Sequence, residues 1–311
     1  MNQQPALSAR FDASRDHLRQ VAFRMLGSLD EADDAVQQTW LRADRANLST
    51  VENLGGWLTT VTARVCLDML RTRRRRAERP LPPTVDGLQW AIAGATSASD
   101  ARSPEDEAVM AESVGLALLV VLDRLSPAQR VAFVLHDLFA VPFDEIAEVV
   151  DRSIVATKKL ASRARERVHG QVGRQPHPPD RAEHRAIVGA FLAATRDGDL
   201  ETLLRLLAPD VVRRADPAAL PTGAGAAVRG ARTIAEETRV FASLAHHAEV
   251  ALVDGAPGIV VAPAGHLVDV LRITIACGRI TAFEVIADPV RLGETVLAVF
   301  DDGGPAAIRQ R

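Results

Sequence analysis

Two proline-containing segments constrain the fold of this 311-residue chain more than any other feature. Residues 80–107 are rich in Pro, Ala, Ser and Asp, and residues 172–181 contain three prolines. Proline fixes φ and removes a backbone donor, so such segments favour linkers over helices or central strands. The segments predict a division of the chain, which we place at 1–79, linker 80–107, 108–170, linker 171–183, 184–290 and a tail at 291–311.

The patterns within these parts differ. Apolar side chains recur at helical spacing in the first two parts, for example in the long segment 56–76. After Pro209, short runs rich in Val and Ile alternate with turn residues, which is typical of strands. We therefore predict two all-α domains, followed by an α+β domain in which helices lead into an antiparallel sheet.

Positive charge is concentrated in two places, although the formal net charge is −3. Residues 71–80 hold six arginines against one glutamate, and residues 158–167 hold both lysines of the chain with three arginines. One such run is usually a solvated helix face. Two runs, each closing a predicted helix, favour contact with nucleic-acid phosphates.

Residues 142–169 predict a helix-turn-helix unit. A short helix carries Ile146, Val149 and Val150 on its apolar side, a turn follows at 151–153, and a basic helix runs to about His169. In such a unit the second helix keeps a polar face free for the major groove. A plain helical hairpin with a basic surface remains an alternative at this point.

Several other classes of protein are disfavoured. No apolar run reaches the length of a membrane helix, and the N-terminal residues lack the apolar core of a secretory signal. The only cysteines, Cys66 and Cys277, are far apart, which excludes a disulfide scaffold and an all-cysteine zinc site. We expect no membrane contact, no metal site, no cofactor and a cytoplasmic location.

Three segments of the chain resemble a known family. DEADDAVQQTWLRA (30–43) and GWLTTVTARVCLDMLRTRRRR (56–76) resemble region 2 of the extracytoplasmic-function (ECF) group of bacterial RNA polymerase sigma factors, and 126–168 resembles region 4 of that group. The resemblance implies a multidomain protein with two all-α sigma domains, the second a helix-turn-helix. It also implies binding to core RNA polymerase and to the −10 and −35 elements of promoter DNA.

The C-terminal part resembles a different family. Residues 191–212, 228–237 and 278–292 are similar to a SnoaL-like domain of the NTF2-like fold, an α+β cone. In sigma factors with this extension, the resemblance implies regulation in cis and leaves room for a small-molecule ligand in the cone. The alternative is a DNA-binding regulator whose cone senses a ligand or retains hydrolase or isomerase activity. Its acid–base residues would come from Asp216, His246, His247, Asp254, His266 and Asp269.

The resemblance to sigma factors assigns the site residues, and no catalytic residue is expected. The polymerase-binding residues are Asp33, Asp34, Gln37, Gln38, Trp40 and Leu41, although Trp40 is equally compatible with a core position. The residues for the −10 side are Asn47, Ser49, Asn53, Arg71, Arg73, Arg74, Arg75 and Arg76. The residues for the −35 side are Ser153, Lys158, Lys159, Ser162, Arg163 and Arg165. Asp151 stands where the family usually has glycine, which predicts a turn of different shape.

Overall fold

The first part of the chain forms three helices in the computed structural model, which describes residues 4–48, 51–77, 115–170, 180–220 and 225–300. The helices are α1 (Gln4–Leu26), α2 (Leu29–Arg45) and α3 (Leu54–Ala77). Ser28 caps α2 by accepting a hydrogen bond from the backbone of Glu31. The predicted linker at 80–107 lies outside the described residues, and so does Ser49.

A buried hydroxyl pair joins α2 to α3. Thr39 and Thr62 are fully buried, and their Oγ1 atoms are 3.1 Å apart. Each hydroxyl also lies within hydrogen-bond distance of a carbonyl oxygen one turn earlier in its own helix. Because buried polar groups are costly unless they are bonded, this pair fixes how the two helices face each other.

The second part is also helical. Its elements are α4 (Leu116–Asp123), α5 (Pro127–Phe133), a π-helical turn (Val134–Leu138), α6 (Phe143–Val150) and α7 (Ile154–Val168). Ser126 and Gln129 form a reciprocal capping box at the start of α5, with Pro127 in the first helical position. The sequence Ser-Pro-Ala-Gln at 126–129 predicts this helix start, with a capping residue, proline in the first turn and glutamine at the third helical position.

The described residues fall into two compact units. The first combines α1–α3 with residues 122–167, and the second combines residues 115–121 with residues 168–300. Within the first unit, α3 packs against α5 and α6. Arg64 Nη2 lies 3.8 Å from Glu148 Oε2, and the Arg24 guanidinium lies 5.1 Å from the ring centre of Phe139. The two predicted helical domains therefore share one unit here, rather than each forming its own.

The C-terminal part of the chain is an α+β domain, as predicted. Its helices are α8 (Asp180–Asp197), α9 (Leu200–Leu206), α10 (Ala231–Thr238), α11 (Ala242–Ala245) and α12 (Pro289–Glu294). Its strands are β1 (Leu207–Ala215), β2 (Ala227–Arg229), β3 (Ala248–Val253), β4 (Ala256–Val261), β5 (Asp269–Ala276), β6 (Arg279–Ile286) and β7 (Leu297–Ala298).

One mixed sheet organises this domain, with strand order β2-β1-β6-β5-β4-β3-β7. The β1–β6 pair is parallel and the other pairs are antiparallel. Side chains from one face of β1, β4, β5 and β6 form a core with α8 and α10. Two-residue turns at Asp254–Gly255 and Cys277–Gly278 have positive φ throughout, which suits the twist of the β3–β4 and β5–β6 hairpins.

Some predicted boundaries differ from the structure. The expected tail at 291–311 begins with ordered elements, because Asp288 caps α12, which runs to Glu294, and β7 (Leu297–Ala298) pairs with β3. Helix α8 begins at Asp180, inside the predicted second linker. His246 and His247 lie between α11 and β3, outside any strand. The sequence pattern missed β7 because its pairing partner, β3, lies far away in the chain, whereas the cap at Asp288 is a local signal.

Candidate nucleic-acid and polymerase interface

Helix α7 presents a basic face to solvent. Lys158, Lys159, Ser162 and Arg163 are exposed. The opposite side of the helix is buried and consists of Thr157, Ala161, Ala164 and Val168. Small side chains on the inner side let α7 lie close to the helices that brace it, so the polar side chains point away from the core.

The turn before α7 keeps the geometry that a glycine would give. Asp151 adopts φ 55° and ψ 58°, the left-handed region, and its backbone N–H donates to Ala147 O. The expectation that aspartate would change the turn was therefore wrong, because Asp is among the non-glycine residues that tolerate this region. Buried Thr157 is accommodated because its hydroxyl donates to Ser153 O at 3.0 Å.

Two residues assigned to the −35 side have structural partners. Ser153 Oγ accepts a hydrogen bond from Ala156 N at 3.3 Å, as a cap of α7. Arg165 is only partly exposed, and its Nε lies 2.5 Å from Asp137 Oδ1. Arg165 therefore ties α7 to the π-helical turn, which leaves its guanidinium less available to a phosphate.

An apolar feature at the start of α7 was not predicted. Ile154 is 45% exposed and Val155 is 65% exposed, unusual values for branched apolar side chains. Val155 lies one helical turn before Lys158 and Lys159 and shares their face. The N-terminal turn of a recognition helix reaches base edges, where an apolar side chain can contact the thymine methyl group. Two apolar residues at the first positions of a basic helix were the signal in the sequence.

The C-terminal end of α3 carries the second basic cluster. Arg71, Arg74, Arg75 and Arg76 are exposed. Arg73 differs, because its guanidinium forms an ion pair with Glu31 of α2 and donates to Leu26 O at 3.3 Å. Arg73 thus holds the end of α3 against α1 and α2.

A chain of charged side chains extends this contact towards α5. Arg73 Nη1 lies 3.9 Å from Asp123 Oδ1, and Arg130 Nη1 donates to the same oxygen at 3.0 Å. Only 3% of the Arg130 side chain is exposed, and burial lowers the pKa of its guanidinium. Because a buried charge must be paired, Asp123 and Arg73 are part of the packing of the first unit.

The loop between α2 and α3 ends at Asn53, although its Asn, Ser and Gly content predicts a loop over residues 47–56. Asn53 Oδ1 accepts a hydrogen bond from Gly56 N at 3.0 Å, so Asn53 caps α3 and the helix begins at Leu54. Asn47 is exposed on the other side of the loop. The Asn53 side chain is exposed, but its oxygen is occupied by the cap of α3.

Helix α2 exposes most of the predicted polymerase surface. Asp34, Gln37, Gln38 and Leu41 are exposed, and Gln38 and Leu41 line a shallow groove with Arg42, Arg45 and Ala46. Asp33 is partly buried, and its Oδ1 lies 2.9 Å from Arg19 Nε of α1.

Trp40, at the edge of that surface, packs inward. Its ring meets Phe11 edge to face with centroids 5.0 Å apart, and it packs against the α1–α3 core. Of its two interpretations, the structure therefore favours the core.

The C-terminal domain brings one of the candidate acid–base residues into a cavity. Asp269 lines a cavity of about 100 Å³ and is 7% exposed. Burial, with the nearby Asp216 carboxylate, raises the pKa of Asp269 to about 6. Asp216 instead accepts hydrogen bonds from the backbone of Ala287 and Asp288. His246, His247 and His266 are exposed, and Asp254 forms a turn.

Two further observations concern the described residues alone. None of their His, Cys, Asp and Glu side chains form a group of three or more that could hold a metal ion. Among the helices that the structure describes, none combines the length and the apolar character that a membrane span requires.

Comparison with known proteins places both helical parts in one family. Residues 11–76 match the family model for sigma-70 region 2, and residues 115–168 match that for sigma-70 region 4. The chain is 43% identical to the ECF RNA polymerase sigma factor SigJ of Mycobacterium tuberculosis over 222 residues, which cover 71% of this chain and 69% of SigJ.

The similarity extends into the C-terminal domain. The chain is 34% identical to the probable ECF RNA polymerase sigma factor SigI of M. tuberculosis over 296 residues, covering 94% of this chain and 97% of SigI. The crystal structure of M. tuberculosis SigJ aligns with 35% identity over 92% of this chain and 98% of that chain, with a TM-score of 0.43. With both sigma-70 regions in order and a relative matched over nearly its full length, this chain belongs to the ECF RNA polymerase sigma factors.

Proposed function

We propose that this sigma factor binds core RNA polymerase in the cytoplasm, recognises the −10 and −35 promoter elements and initiates transcription, with its C-terminal domain regulating it in cis. The exposed basic face of α7 is the observation that carries the promoter assignment. It lies on the second helix of a helix-turn-helix, in the segment that matches sigma-70 region 4.

Recognition of the −35 element is assigned to four polar residues and one apolar residue of α7. Lys158, Lys159, Ser162 and Arg163 supply phosphate and base-edge contacts, and Val155 supplies an apolar contact. Ser153 and Arg165 are not assigned to DNA contact, because both already bond within the first unit. They position α7 instead.

The −10 side is assigned to the exposed end of α3 and the loop before it. Arg71, Arg74, Arg75 and Arg76 contact phosphates at the C-terminal end of α3, and Asn47 supplies a polar side chain from the loop that precedes the N-terminal end of the same helix. Arg73 is left out, because its guanidinium is bound to Glu31.

Core polymerase is assigned to the exposed face of α2. Asp34, Gln37, Gln38 and Leu41 form this surface, with the groove beside Leu41 as a place for an apolar side chain of the partner. Asp33 and Trp40 support the surface from behind through Arg19 and Phe11.

Binding both promoter elements requires the first unit to open. The −35 and −10 elements are about 25 base pairs apart, which is about 85 Å at 3.4 Å per base pair. The two basic faces belong to one compact unit. A compact unit of about 120 residues has a radius of gyration of only about 14 Å, so it is too small to span that distance. The Arg64–Glu148 pair at the junction has exposed side chains, so it contributes little to closure. Binding to core polymerase can supply the free energy for opening.

Two contacts support a restraining role for the C-terminal domain. Glu249 Oε2 accepts a hydrogen bond from Ala117 N at 2.6 Å, and Val299 N donates to Val168 O at 2.8 Å. These contacts hold the residues at both ends of the 122–167 segment within the second unit.

The chain acts by binding rather than by catalysis. General acid–base catalysis needs a poised partner beside the acid or base. Arg213 and Glu237, which line the cavity with Asp269, bond to each other at 2.7 Å. They are therefore committed to one another rather than to a substrate.

The test replaces Lys158 and Lys159 with alanine in the full chain. We expect run-off transcription from the upstream region of its own gene to fall, and the salt slope of promoter binding by the holoenzyme to decrease by about one to two units, because up to two phosphate contacts are lost.

The matched control removes two positive charges from the C-terminal domain, through Arg232→Ala with Arg239→Ala, both at exposed positions. It should leave the slope unchanged. An unchanged slope in the lysine variant would remove α7 from the promoter interface.

A further inference from the structure

The C-terminal domain encloses a cavity that the assignment as a sigma factor does not use. It has a volume of about 100 Å³ and lies between the inner face of the sheet and helices α8, α10 and α11. Its walls are largely apolar, with contributions from Phe191, Leu244, Ile259, Leu271 and Phe283. An apolar cavity of about 150 Å³ holds one benzene molecule, so this cavity suits a molecule of about one small ring or less.

Most polar side chains in the cavity wall already have partners. Arg213 donates to Gly225 O and to Glu237 Oε2, each at 2.7 Å. The hydroxyls of Thr195 and Thr238 donate to carbonyl oxygens of their own helices at 2.8 Å and 2.7 Å. These groups need no ligand to satisfy them.

Asp269 is the exception. It is the first residue of β5, opposite Val261 of β4. Only 7% of its surface is exposed. Its Oδ1 atom is fully buried and has no hydrogen-bond partner among the described residues. An unpaired buried carboxylate oxygen is costly, so a bound group that donates a hydrogen bond would relieve that cost.

A water molecule alone fits this place poorly. A buried water needs two to four polar partners, whereas the hydroxyl protons and the guanidinium in the wall are engaged elsewhere. An anionic ligand is disfavoured as well, because the carboxylate of Asp269 would repel it at short range in an apolar site. The wall therefore selects an uncharged or cationic donor attached to an apolar body.

We propose that this cavity binds a small, mostly apolar molecule with one hydrogen-bond donor, such as a phenol or ring alcohol, whose donor group bonds to Asp269. The apolar ring is held by Phe191, Ile259 and Phe283, and the donor group fixes its orientation. Such a site makes the C-terminal domain a receptor for a compound class, independently of how its sigma regions contact DNA.

The test compares phenol with toluene, which has a similar shape and no donor. Binding to the full chain is measured by ligand-observed NMR titration. We expect phenol to bind at least about tenfold more tightly, the factor that a hydrogen bond to a charged group supplies. Asp269→Asn should reduce the affinity for phenol about tenfold and leave that for toluene unchanged. Asp210→Asn, which changes a 75% exposed carboxylate of the same domain, is the control.

A second variant tests the location by filling the cavity. Ala248→Leu adds volume at a lining position and should abolish binding of both compounds. If it does not fold, the comparison of Asp269→Asn with Asp210→Asn still decides. Equal affinities for phenol and toluene, an Asp269→Asn variant that binds phenol like the parent, or absence of binding by both compounds would each overturn the proposal.

Discussion

Asp269 should make the stability of the C-terminal domain depend on pH in an unusual direction. Burial raises the pKa of this carboxyl group from 3.8 to about 6, with a contribution from Asp216. The folded domain therefore holds the proton more tightly than the unfolded chain does. Between pH 3.8 and about 6, unfolding releases this proton, so stability falls as pH rises through that window.

The magnitude follows from the size of this difference. At 1.36 kcal/mol per pH unit, a pKa raised to about 6 corresponds to a penalty of about 3 kcal/mol when the group is fully ionised. About half of it develops between pH 5 and pH 8, because the unfolded group is already largely ionised at pH 5. Arg213 and Glu237 line the same cavity but neutralise each other, so they do not cancel this penalty.

The perturbation is Asp269→Asn, which keeps the shape of the side chain and removes its titration. We expect the variant to gain about 1.5 kcal/mol relative to the parent between pH 5 and pH 8. The assay is urea unfolding followed by circular dichroism, because the tryptophans Trp40, Trp57 and Trp90 all lie outside the C-terminal domain.

The control is again Asp210→Asn, whose carboxylate is exposed. Its stability should follow that of the parent at every pH. Parallel pH profiles for the parent and Asp269→Asn would contradict this expectation, because they would mean that the carboxyl group titrates alike in the folded and unfolded chain.

Two further predictions concern the first unit. Leu41→Arg, at a 47% exposed position on α2, should weaken binding to core polymerase at least about tenfold in a fluorescence titration. Its thermal unfolding midpoint should not change, and an unchanged affinity would mean that the polymerase surface lies elsewhere. Arg73→Ala should lower the free energy of unfolding by about 1–2 kcal/mol in urea, because the bonds to Glu31 and Leu26 O are lost. The exposed control Arg71→Ala should lower it by less than about 0.5 kcal/mol. Equal effects would contradict a structural role for Arg73.

Local signals in the sequence predicted the helical elements and the basic face well. The capping box at Ser126 and the helix-turn-helix at 142–169 depend on neighbours within a few residues, and the structure confirms both. The exposure of Lys158 and Lys159 follows from helical periodicity alone.

The individual arginines and aspartates were harder to predict. Asp33, Arg73 and Arg165 have partners 14, 42 and 28 residues away in the chain. Spacing along a helix cannot reveal such partners. The arginines at 71–76 were therefore predicted to form one DNA-binding surface, although Arg73 has a structural role. Asp151 is a different case, because its left-handed turn is closed by a local bond from its backbone N–H to Ala147 O.

The family, the order of the helical and α+β parts and the two basic segments could be predicted from the sequence, because periodicity, capping and motif order are local properties of a chain. Tertiary structure alone decided that the two helical parts share one unit, that Arg73 and Arg165 are held in ion pairs, and that Asp269 faces a cavity. These features depend on strand register and on contacts between distant segments, which are set only when the core packs.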